Sequence, residues 1–232
     1  MYIISDLHAN IEQLNKLLDL LKPAKEDFLI FLGDYIDKKI HTGETLQILE
    51  LLKNETNCIF IKGDHEFVWE RYLDYAETFR KDFLLKYGSV EALRQYTEKP
   101  EQLIERDDIV TIKKFLQPYL NFIKNTKDYY LVDKYLALHA GLQKEQLFQN
   151  PIQFSETNYF LRREAMNLEK LYLDKYIIVA GHTYFCKEPF IQKGYIGIDL
   201  GAGYDGYLGA LDLKNNKVIR SDGRIFNLNK KI

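Results

Sequence analysis

The sequence predicts an α/β protein with two β-sheets. In the N-terminal quarter, short apolar strands alternate with helical patterns, which is typical of parallel strands joined by right-handed crossovers. The C-terminal half returns to short alternating strands, and these indicate a second sheet packed against the first. Between them, residues from about 67 to about 127 have helical periodicity. We interpret this stretch as a helical insertion into a single domain of residues 1–232.

The N-terminal elements follow one another in the order β-α-β-α-β. The apolar spacing from Ile11 to Leu21 predicts an amphipathic helix, which Pro23 ends. A second helical pattern runs from about Thr45 to Lys53. The expected strands of the whole chain are 2–5, 28–32, 57–61, 129–132, 135–138, 176–180, 195–199 and 207–213.

The helical insertion carries four aromatic residues at helix spacing, namely Trp69, Tyr72, Phe79 and Phe83. The first interpretation is a stripe that packs the insertion onto the sheet domain. The second is a cleft wall that stacks a nucleotide base. The spacing favours the first and leaves the second open.

Composition excludes several classes of protein. The net charge is −2 and the basic residues are spread along the chain, so there is no stripe for binding a nucleic-acid polymer. No apolar run reaches the ~20 residues of a membrane span, and a strand that begins at Tyr2 leaves no room for a signal peptide. Cys58 and Cys186 lack CxxC spacing and are too few for a disulfide scaffold. We therefore expect a soluble, cytoplasmic protein.

Four of the five histidines lie in a series of short motifs, each following a predicted strand. In chain order the motifs are Asp6-Leu7-His8, Gly33-Asp34-Tyr35-Ile36-Asp37, Gly63-Asp64-His65-Glu66, Leu138-His139-Ala140-Gly141 and Gly181-His182-Thr183. Ligands of open α/β sheets bind at this carboxyl edge, and two neighbouring hard metal ions require carboxylate and imidazole ligands with one bridging carboxylate. Asp6 and His8, two residues apart, would bind one metal ion. Asp34 follows Gly33 and would bridge to a second ion. The predicted metal ligands are Asp6, His8, Asp34, Asp64, His139 and His182.

In this order the motifs resemble those of the calcineurin-like metallophosphoesterases, and within them the phosphoprotein phosphatase group. Its bacterial members include the symmetrical diadenosine tetraphosphatases. The segments Tyr87-Gly88, Phe160-Leu161-Arg162 and Ile198-Asp199-Leu200-Gly201-Ala202 resemble further family motifs, so the resemblance covers nearly the whole chain. It implies a four-layer αββα sandwich of two mixed sheets with a helical insertion.

The resemblance also implies hydrolysis of a phosphomonoester or a phosphoanhydride by a hydroxide that bridges two metal ions. Manganese is the expected metal, with iron, zinc and magnesium as alternatives, because all four accept oxygen and nitrogen ligands. His65 is not needed as a ligand, and we assign it as the general acid, oriented by Asp37. The alternative is that Asp37 caps the following helix.

Two basic residues depart from the family pattern at the expected phosphate site. Lys38 replaces an arginine and Lys39 replaces a glycine. A lysine meets phosphate as a point charge without the bidentate fork of arginine. Phosphate binding is therefore assigned to Arg162 together with Lys38, with Arg163 in place of Arg162 if the register differs by one residue.

Asp64 stands where the family has asparagine. With an amide there, two carboxylates and one hydroxide face two divalent ions and leave a single positive charge; an ionised Asp64 brings the sum to zero. We expect either a slower site or a preference for one trivalent iron, which would restore that charge.

Three functions are compatible with the sequence. The first is a serine/threonine phosphoprotein phosphatase, and the second is a hydrolase of dinucleoside polyphosphates or other nucleotides. Both use the same metal centre, so the motifs do not separate them. The third is a catalytically weak metal-binding regulator, motivated by Asp64, Lys38 and Lys39. The expected partners are a phosphorylated protein or a nucleotide, with no nucleic-acid polymer and no membrane.

Overall fold

The computed structural model describes residues 1–75, 77–161, 176–184 and 186–228. Its strands are β1 (Tyr2–Ile4), β2 (Phe28–Phe31), β3 (Asn57–Phe60), β4 (Tyr129–Val132), β5 (Tyr135–Leu138), β6 (Ile177–Ala180), β7 (Phe190–Gln192), β8 (Tyr195–Gly197), β9 (Gly209–Asp212), β10 (Lys217–Arg220) and β11 (Ile225–Asn227). Its α-helices are α1 (Ile11–Leu21), α2 (Thr42–Glu55), α3 (Asp64–Tyr75), α4 (Thr78–Lys86), α5 (Glu91–Arg94), α6 (Pro100–Glu105), α7 (Ile109–Phe115) and α8 (Gln117–Ile123). Two short 3₁₀ helices span Lys144–Phe148 and Glu156–Tyr159.

The strands form two mixed sheets. The first has the order β11-β10-β9-β1-β2-β3, and the second has the order β4-β5-β6-β8-β7. In the first sheet β1, β2 and β3 are parallel, while β9, β10 and β11 pair antiparallel. In the second sheet β5, β6 and β8 are parallel. The predicted α/β class with two mixed sheets is confirmed.

One predicted strand lies in the other sheet. The sequence placed the strand at 207–213 with the second sheet, but β9 pairs with β1 of the first sheet, with Ile3 opposite Leu211. The physical reason is the alternation of side chains: Leu211 faces the space between the sheets and Ala210 faces the helices, and this pattern suits either sheet.

The alternation of side chains along the strands builds two apolar cores. Ile3 and Ile30 of the first sheet pack with Val179 and Ile196 of the second, between the two sheets. Residues that alternate with these along the strands of the first sheet point to its other face and pack against the helices, as Phe31 does. A third cluster on the outer face of the second sheet contains Leu136, Leu138, Leu142, Ile178, Ala180 and Tyr195.

Helix α1 shows how local sequence sets the ends of an element. The Asn10 side chain accepts a hydrogen bond from the backbone N–H of Gln13, which caps the helix, and Lys22 ends it in a left-handed conformation just before Pro23. Leu14 and Leu17 are fully buried on the face toward the first sheet. The predicted helix is therefore found at the predicted residues.

The helical stretch is made of six helices, α3 to α8, and it begins three residues earlier than the sequence indicated, at Asp64. Buried residues of these helices, including Val68, Leu93 and Ile112, share one apolar cluster with Leu29 of the first sheet. We propose from this shared core that residues 1–232 form one domain. No helix within the described ranges is long and apolar enough to cross a membrane.

Candidate functional site

The carboxyl ends of parallel strands from both sheets meet in one place. Asp6 follows β1 and Asp34 follows β2, while Asp64 begins α3 directly after β3. His139 follows β5 and His182 follows β6 in the second sheet. Together with His8, the structure thus brings all six predicted metal ligands to the junction of the two sheets, where five of them are buried and His182 is partly exposed.

Asp64, His139 and His182 form one group of ligands. Asp64 Oδ1 lies 3.0 Å from His139 Nε2 and 3.3 Å from His182 Nδ1. His139 Nδ1 donates to the carbonyl oxygen of Leu32 at 2.8 Å, which orients the ring and leaves Nε2 for a metal ion. Burial opposes the charge of Asp64, but His182 and His139 hold its pKa well below the usual range. This group has the composition predicted for the second metal.

Asp34 lies between this group and His8. Its Oδ2 is 3.3 Å from His8 Nε2, and its Oδ1 is 3.5 Å from His139 Nε2. His8 Nδ1 faces the carbonyl oxygen of Ile36 at 3.3 Å, so Nε2 is the nitrogen left for a ligand role. The two carboxylate oxygens of Asp34 therefore face different histidines, as a bridging ligand requires.

Asp6 has one oxygen that no hydrogen bond satisfies. Its Oδ2 accepts from the backbone N–H of His182 at 2.8 Å, whereas Oδ1 is buried and has no hydrogen-bond partner among the described residues. Burial, opposed by His139 and reinforced by Asp34, raises the pKa of Asp6 to about 6. Burial together with Asp64 raises the pKa of Asp34 to about 7. Buried carboxylates of this kind are stabilised by a cation.

Glycines leave space for these carboxylates. A Cβ on Gly181 would overlap Asp6 Oδ1, and a Cβ on Gly63 would overlap Asp34 Oδ1. Gly33 has a φ of +108° and packs against Gly63, where a side chain would collide with backbone. The hard oxygen and nitrogen donors, the unsatisfied oxygen of Asp6 and this cleared space all fit two divalent cations.

Several site residues have a backbone conformation that non-glycine residues rarely adopt. The values of φ are 47° for His8, 52° for Asp34, 73° for Asp37 and 59° for His182. Such residues cost on the order of 1–3 kcal/mol each and cluster at functional sites. His8 reaches the site through a left-handed turn and not through a continued strand after Asp6.

His65 and Asp37 form a buried pair beside the ligands. His65 Nδ1 donates to Asp37 Oδ2 at 2.6 Å, and Trp69 Nε1 donates to Asp37 Oδ1 at 3.0 Å. Burial lowers the pKa of His65, but Asp34 and Asp37 outweigh it and raise the pKa to about 9. The N-cap position of α2 is occupied by His41, so Asp37 is placed to orient His65 and not to cap that helix.

Lys38 reaches into the same site. Its Nζ donates to His8 Nε2 at 2.9 Å and lies 4.5 Å from the ring centroid of Tyr204. Burial opposes its charge, but Asp34 and Tyr204 raise the pKa of Lys38 above the ordinary value. Lys38 and a metal ion compete for one atom, His8 Nε2, so the ammonium is available to phosphate only once it leaves that nitrogen. Arg162 and Arg163 lie outside the described residues.

A cavity of about 680 Å³ opens next to these side chains. Asp34, Lys38, Asp64, His65 and His182 line its floor. Its walls are mostly aromatic, contributed by Phe79, Phe83, Tyr87, Phe160, Tyr184 and Tyr204, together with the charged Asp82 and Lys86.

The predicted aromatic stripe divides between core and cavity. Trp69 and Tyr72 are fully buried, whereas Phe79 is 65% exposed and lines the cavity with Phe83. The interpretation as a packing stripe holds for the first two residues. The last two line the cavity, with Phe83 also packed against the core, and a base-stacking role for them stays a prediction. A base-stacking role for Trp69 is therefore wrong, because its ring is enclosed and its N–H is committed to Asp37.

The sequence did not assign roles to three buried groups at the site. Asp199 follows β8 and lines the cavity, and burial together with Asp6 raises its pKa to about 7. Ser89 Oγ lies 3.3 Å from His65 Nδ1. Glu66 accepts hydrogen bonds from the backbone of Asp34 and Gly63. A polar residue behind a strand was a signal for Asp199, but only the fold brings Ser89 to His65.

This fold carries clusters of side chains that are able to hold metal ions. The sequence profile of the calcineurin-like phosphoesterases matches residues 1–186. The chain therefore belongs to the calcineurin-like phosphoesterase family, as the motifs indicated.

Comparison with individual proteins finds distant relatives. The serine/threonine-protein phosphatase PP2A-like PPG1 of Saccharomyces cerevisiae is 24% identical over 157 residues, which cover 64% of this chain and 41% of the yeast protein. The alignment thus spans about two fifths of that relative's length.

Solved structures share the fold at low sequence identity. A cold-active protein-tyrosine phosphatase of a psychrophilic Shewanella species has a TM-score of 0.62 at 19% identity, covering 98% of this chain and 79% of that one. A putative diadenosine tetraphosphatase has a TM-score of 0.59 at 17% identity, covering 97% of this chain and 90% of that one. At this identity the similarity establishes the fold alone.

Proposed function

We propose that the protein hydrolyses phosphate monoesters on phosphorylated proteins, with phosphoserine and phosphothreonine as the expected substrates and two manganese ions as cofactors. The observation that carries the proposal is the position of Asp34. One of its carboxylate oxygens faces His8 and the other faces His139, and the His65 and Asp37 pair lies beside them. A two-metal centre beside a proton donor is one arrangement that catalyses hydrolysis of phosphate esters.

The chain's own residues carry distinct steps of the reaction. Two bound metal ions would lower the pKa of a water molecule and neutralise charge on the phosphoryl oxygens. His65 would donate a proton to the leaving oxygen, because its Nδ1 lies 2.6 Å from Asp37 Oδ2 and this carboxylate stabilises the protonated imidazole. Asp37 holds the imidazole through Nδ1. Lys38 binds the phosphate, with Arg162 proposed as its partner.

The similarity to the yeast phosphatase supports serine and threonine as substrates. The two cysteines of the chain are unpaired in the structure, which fits the cytoplasmic location expected from the sequence.

Nucleotide hydrolysis is the second candidate, because the aromatic wall of the cavity offers surfaces for stacking a base. The fold similarity to a putative diadenosine tetraphosphatase adds to it. The wall residues Phe79 and Tyr87 replace Trp69 as the platform of this alternative.

Initial rates on phosphoserine and phosphothreonine peptides and on diadenosine tetraphosphate, each with manganese, test these proposals. We expect faster hydrolysis of the peptides, and loss of all activity in a His139→Ala variant that no longer holds the second metal. A metal-loaded protein that hydrolyses none of these substrates, nor p-nitrophenyl phosphate, would instead support the regulatory alternative.

A further inference from the structure

The side chain of Lys38 runs between two segments that are distant in the chain. Its backbone N–H donates to the carbonyl oxygen of Gly88 at 2.8 Å. A Cβ on Gly88 would lie 3.2 Å from Lys38 Cγ, and a Cβ on Gly203 would lie 2.7 Å from Lys38 Cδ. The two glycines therefore enclose the aliphatic part of the side chain and leave the ammonium as the part that can change partners.

The loop that carries the second of these glycines, residues 198–208 after β8, is held in a defined shape. The backbone N–H of Tyr204 donates to the carbonyl oxygen of Gly201 at 2.9 Å. The Asn10 side chain donates to the carbonyl oxygen of Ala202 at 2.8 Å, which ties the loop to the start of α1. The 198–208 loop thus forms a fixed surface beside the metal ligands.

Two groups of the 198–208 loop attract the ammonium. The ring centroid of Tyr204 lies 4.5 Å from Lys38 Nζ, within the range of a cation–π contact. The second group is the carboxylate of Asp199, which lines the same cavity as Lys38. Burial lowers the pKa of Lys38, but Asp34, Tyr204 and Asp199 outweigh it and raise the pKa above the ordinary value.

Asp199 has one carboxylate oxygen available for a further contact. The residue is 9% exposed, and its Oδ1 accepts from the backbone N–H of Gly201 at 2.9 Å. Among the described residues, none donates a hydrogen bond to Oδ2. A buried carboxylate with an oxygen of this kind is stabilised by a charge-assisted hydrogen bond.

The ammonium needs an acceptor other than His8. Lys38 Nζ donates to His8 Nε2 at 2.9 Å, and this nitrogen no longer accepts once it binds a metal ion. We propose that Asp199 then accepts from the Lys38 ammonium and holds it at the cavity, where it meets the phosphoryl group. A lysine lacks the planar fork that orients an arginine on phosphate, so a fixed acceptor supplies the orientation.

This inference rests on the proposed function and makes Asp199 and Tyr204 positioning residues of its phosphate site. The sign of one effect separates positioning from simple charge. Asp199→Asn keeps an oxygen that can accept from the N–H of Gly201 and removes one negative charge. If Asp199 acted on phosphate only through space, loss of that charge would tighten binding of the anion. If Asp199 positions Lys38, binding weakens.

Calorimetric titration of the manganese-saturated protein with inorganic phosphate measures this sign without turnover. We expect Asp199→Asn to raise the Kd for phosphate about tenfold, the effect of one lost hydrogen bond to a charged group. In the Lys38→Met background the same substitution should raise it less than about twofold, because the ammonium that Asp199 positions is gone. Tyr204→Leu, at an exposed position, should weaken phosphate binding by a smaller factor than Asp199→Asn.

Steady-state rates on a phosphoserine peptide give a second readout. Because Asp199 acts through a group that binds the phosphate, Asp199→Asn should raise KM and change kcat less. Asp205→Asn is the matched control, since Asp205 is an exposed carboxylate of the same loop that does not line the cavity. It should change the Kd for phosphate by less than about twofold.

Tighter phosphate binding in Asp199→Asn, or an equal loss with and without Lys38→Met, would overturn the inference. A lower affinity of Asp199→Asn for manganese, with unchanged phosphate binding at saturating metal, would also overturn it and assign Asp199 to the metal site. In these cases phosphoserine hydrolysis persists and the proposed function stands. A wild-type protein that hydrolyses no phosphate ester would defeat the proposed function and the inference with it.

Discussion

The role of His65 as a proton donor depends on its neighbour Asp37. This carboxylate orients the imidazole ring and, together with Asp34, raises the pKa of His65. We expect Asp37→Asn to lower kcat on a phosphoserine peptide by about 100-fold, the range of a lost general acid. On p-nitrophenyl phosphate the loss should stay below about tenfold, because a good leaving group needs little protonation. Steady-state rates on both substrates measure the difference.

Trp69→Phe is a second variant for this prediction, since it keeps an aromatic ring at the buried position, although a smaller one, and removes the N–H that donates to Asp37. Because Asp37 keeps its own hydrogen bond to His65 in this variant, we expect a smaller loss of rate than in Asp37→Asn, again larger on the phosphoserine peptide than on p-nitrophenyl phosphate. Equal losses on the two substrates in Asp37→Asn would contradict the assignment of His65 as the proton donor.

Among the departures from the family motifs, aspartate in place of asparagine at position 64 changes the charge of the site most. Its Oδ1 lies within 3.3 Å of both histidines of its group, so the carboxylate charge is held inside the site. We expect wild-type protein either to retain iron in place of one divalent ion or to turn over several-fold more slowly than Asp64→Asn.

Metal analysis of the purified protein and phosphatase rates for both forms test this expectation. If wild type is the faster enzyme and holds only divalent metal, the expectation of bound iron and the expectation of slower turnover are both wrong.

At the scale of elements, Glu66 in the first turn of α3 ties three segments together. It accepts hydrogen bonds from the backbone of Asp34 and Gly63 and from the hydroxyl of Tyr119 on α8, the last at 2.7 Å. Tyr119→Phe removes one bond to a buried carboxylate, and we expect it to lower the free energy of unfolding by about 1.5–3 kcal/mol.

Urea unfolding of the metal-free protein measures this loss, with Tyr96→Phe as an exposed tyrosine control. Affinity for manganese should fall as well, because Glu66 fixes the loops of two ligands. An unchanged unfolding midpoint in Tyr119→Phe would contradict the role given to Glu66.

The sequence predicts individual elements better than their partners. The helix from Ile11 to Leu21 follows from apolar spacing and a proline, which are local signals. The return of β9 to the first sheet does not, because its pairing with β1 depends on contacts about two hundred residues apart along the chain. The aromatic residues of α3 and α4 share one periodicity, yet the tertiary fold buries Trp69 and exposes Phe79.

For the whole molecule, the ligands connect the two sheets, so metal binding stabilises the folded state. At a free metal concentration of 100 times the dissociation constant the gain is about 2.7 kcal/mol, or a rise in Tm of roughly 5–10 °C for a chain of this size. Calorimetry with and without manganese measures it, and His139→Ala, which removes a ligand of the second metal, should reduce the shift.

This stabilisation should depend on pH. The pKa values of Asp6 and Asp34 are raised to about 6 and about 7 in the metal-free protein, so a metal ion must displace protons in acid. We therefore expect a larger rise in Tm at pH ~8 than at pH ~6. A rise that is equal at the two values, or larger in acid, would contradict these directions.

The site is visible in the sequence where a ligand follows a strand directly, as Asp34 and His139 do. The sequence does not reveal residues that act on the site through a second side chain. Nothing local indicates that the Trp69 N–H donates to Asp37, or that Ser89 meets His65 from the turn between α4 and α5. The left-handed backbone of His8 and His182 is likewise a property of the assembled fold.

The glycines at the site have a consequence for how the protein tolerates mutation. Gly63 and Gly181 have no side chain to take part in catalysis. The single methyl group of alanine would nevertheless occupy the place of a carboxylate oxygen of Asp34 or Asp6. A saturation mutagenesis screen would therefore score these two positions as severely as the ligands themselves. A search for catalytic residues by mutational sensitivity alone would classify these glycines as catalytic, although what they provide is space for the carboxylates.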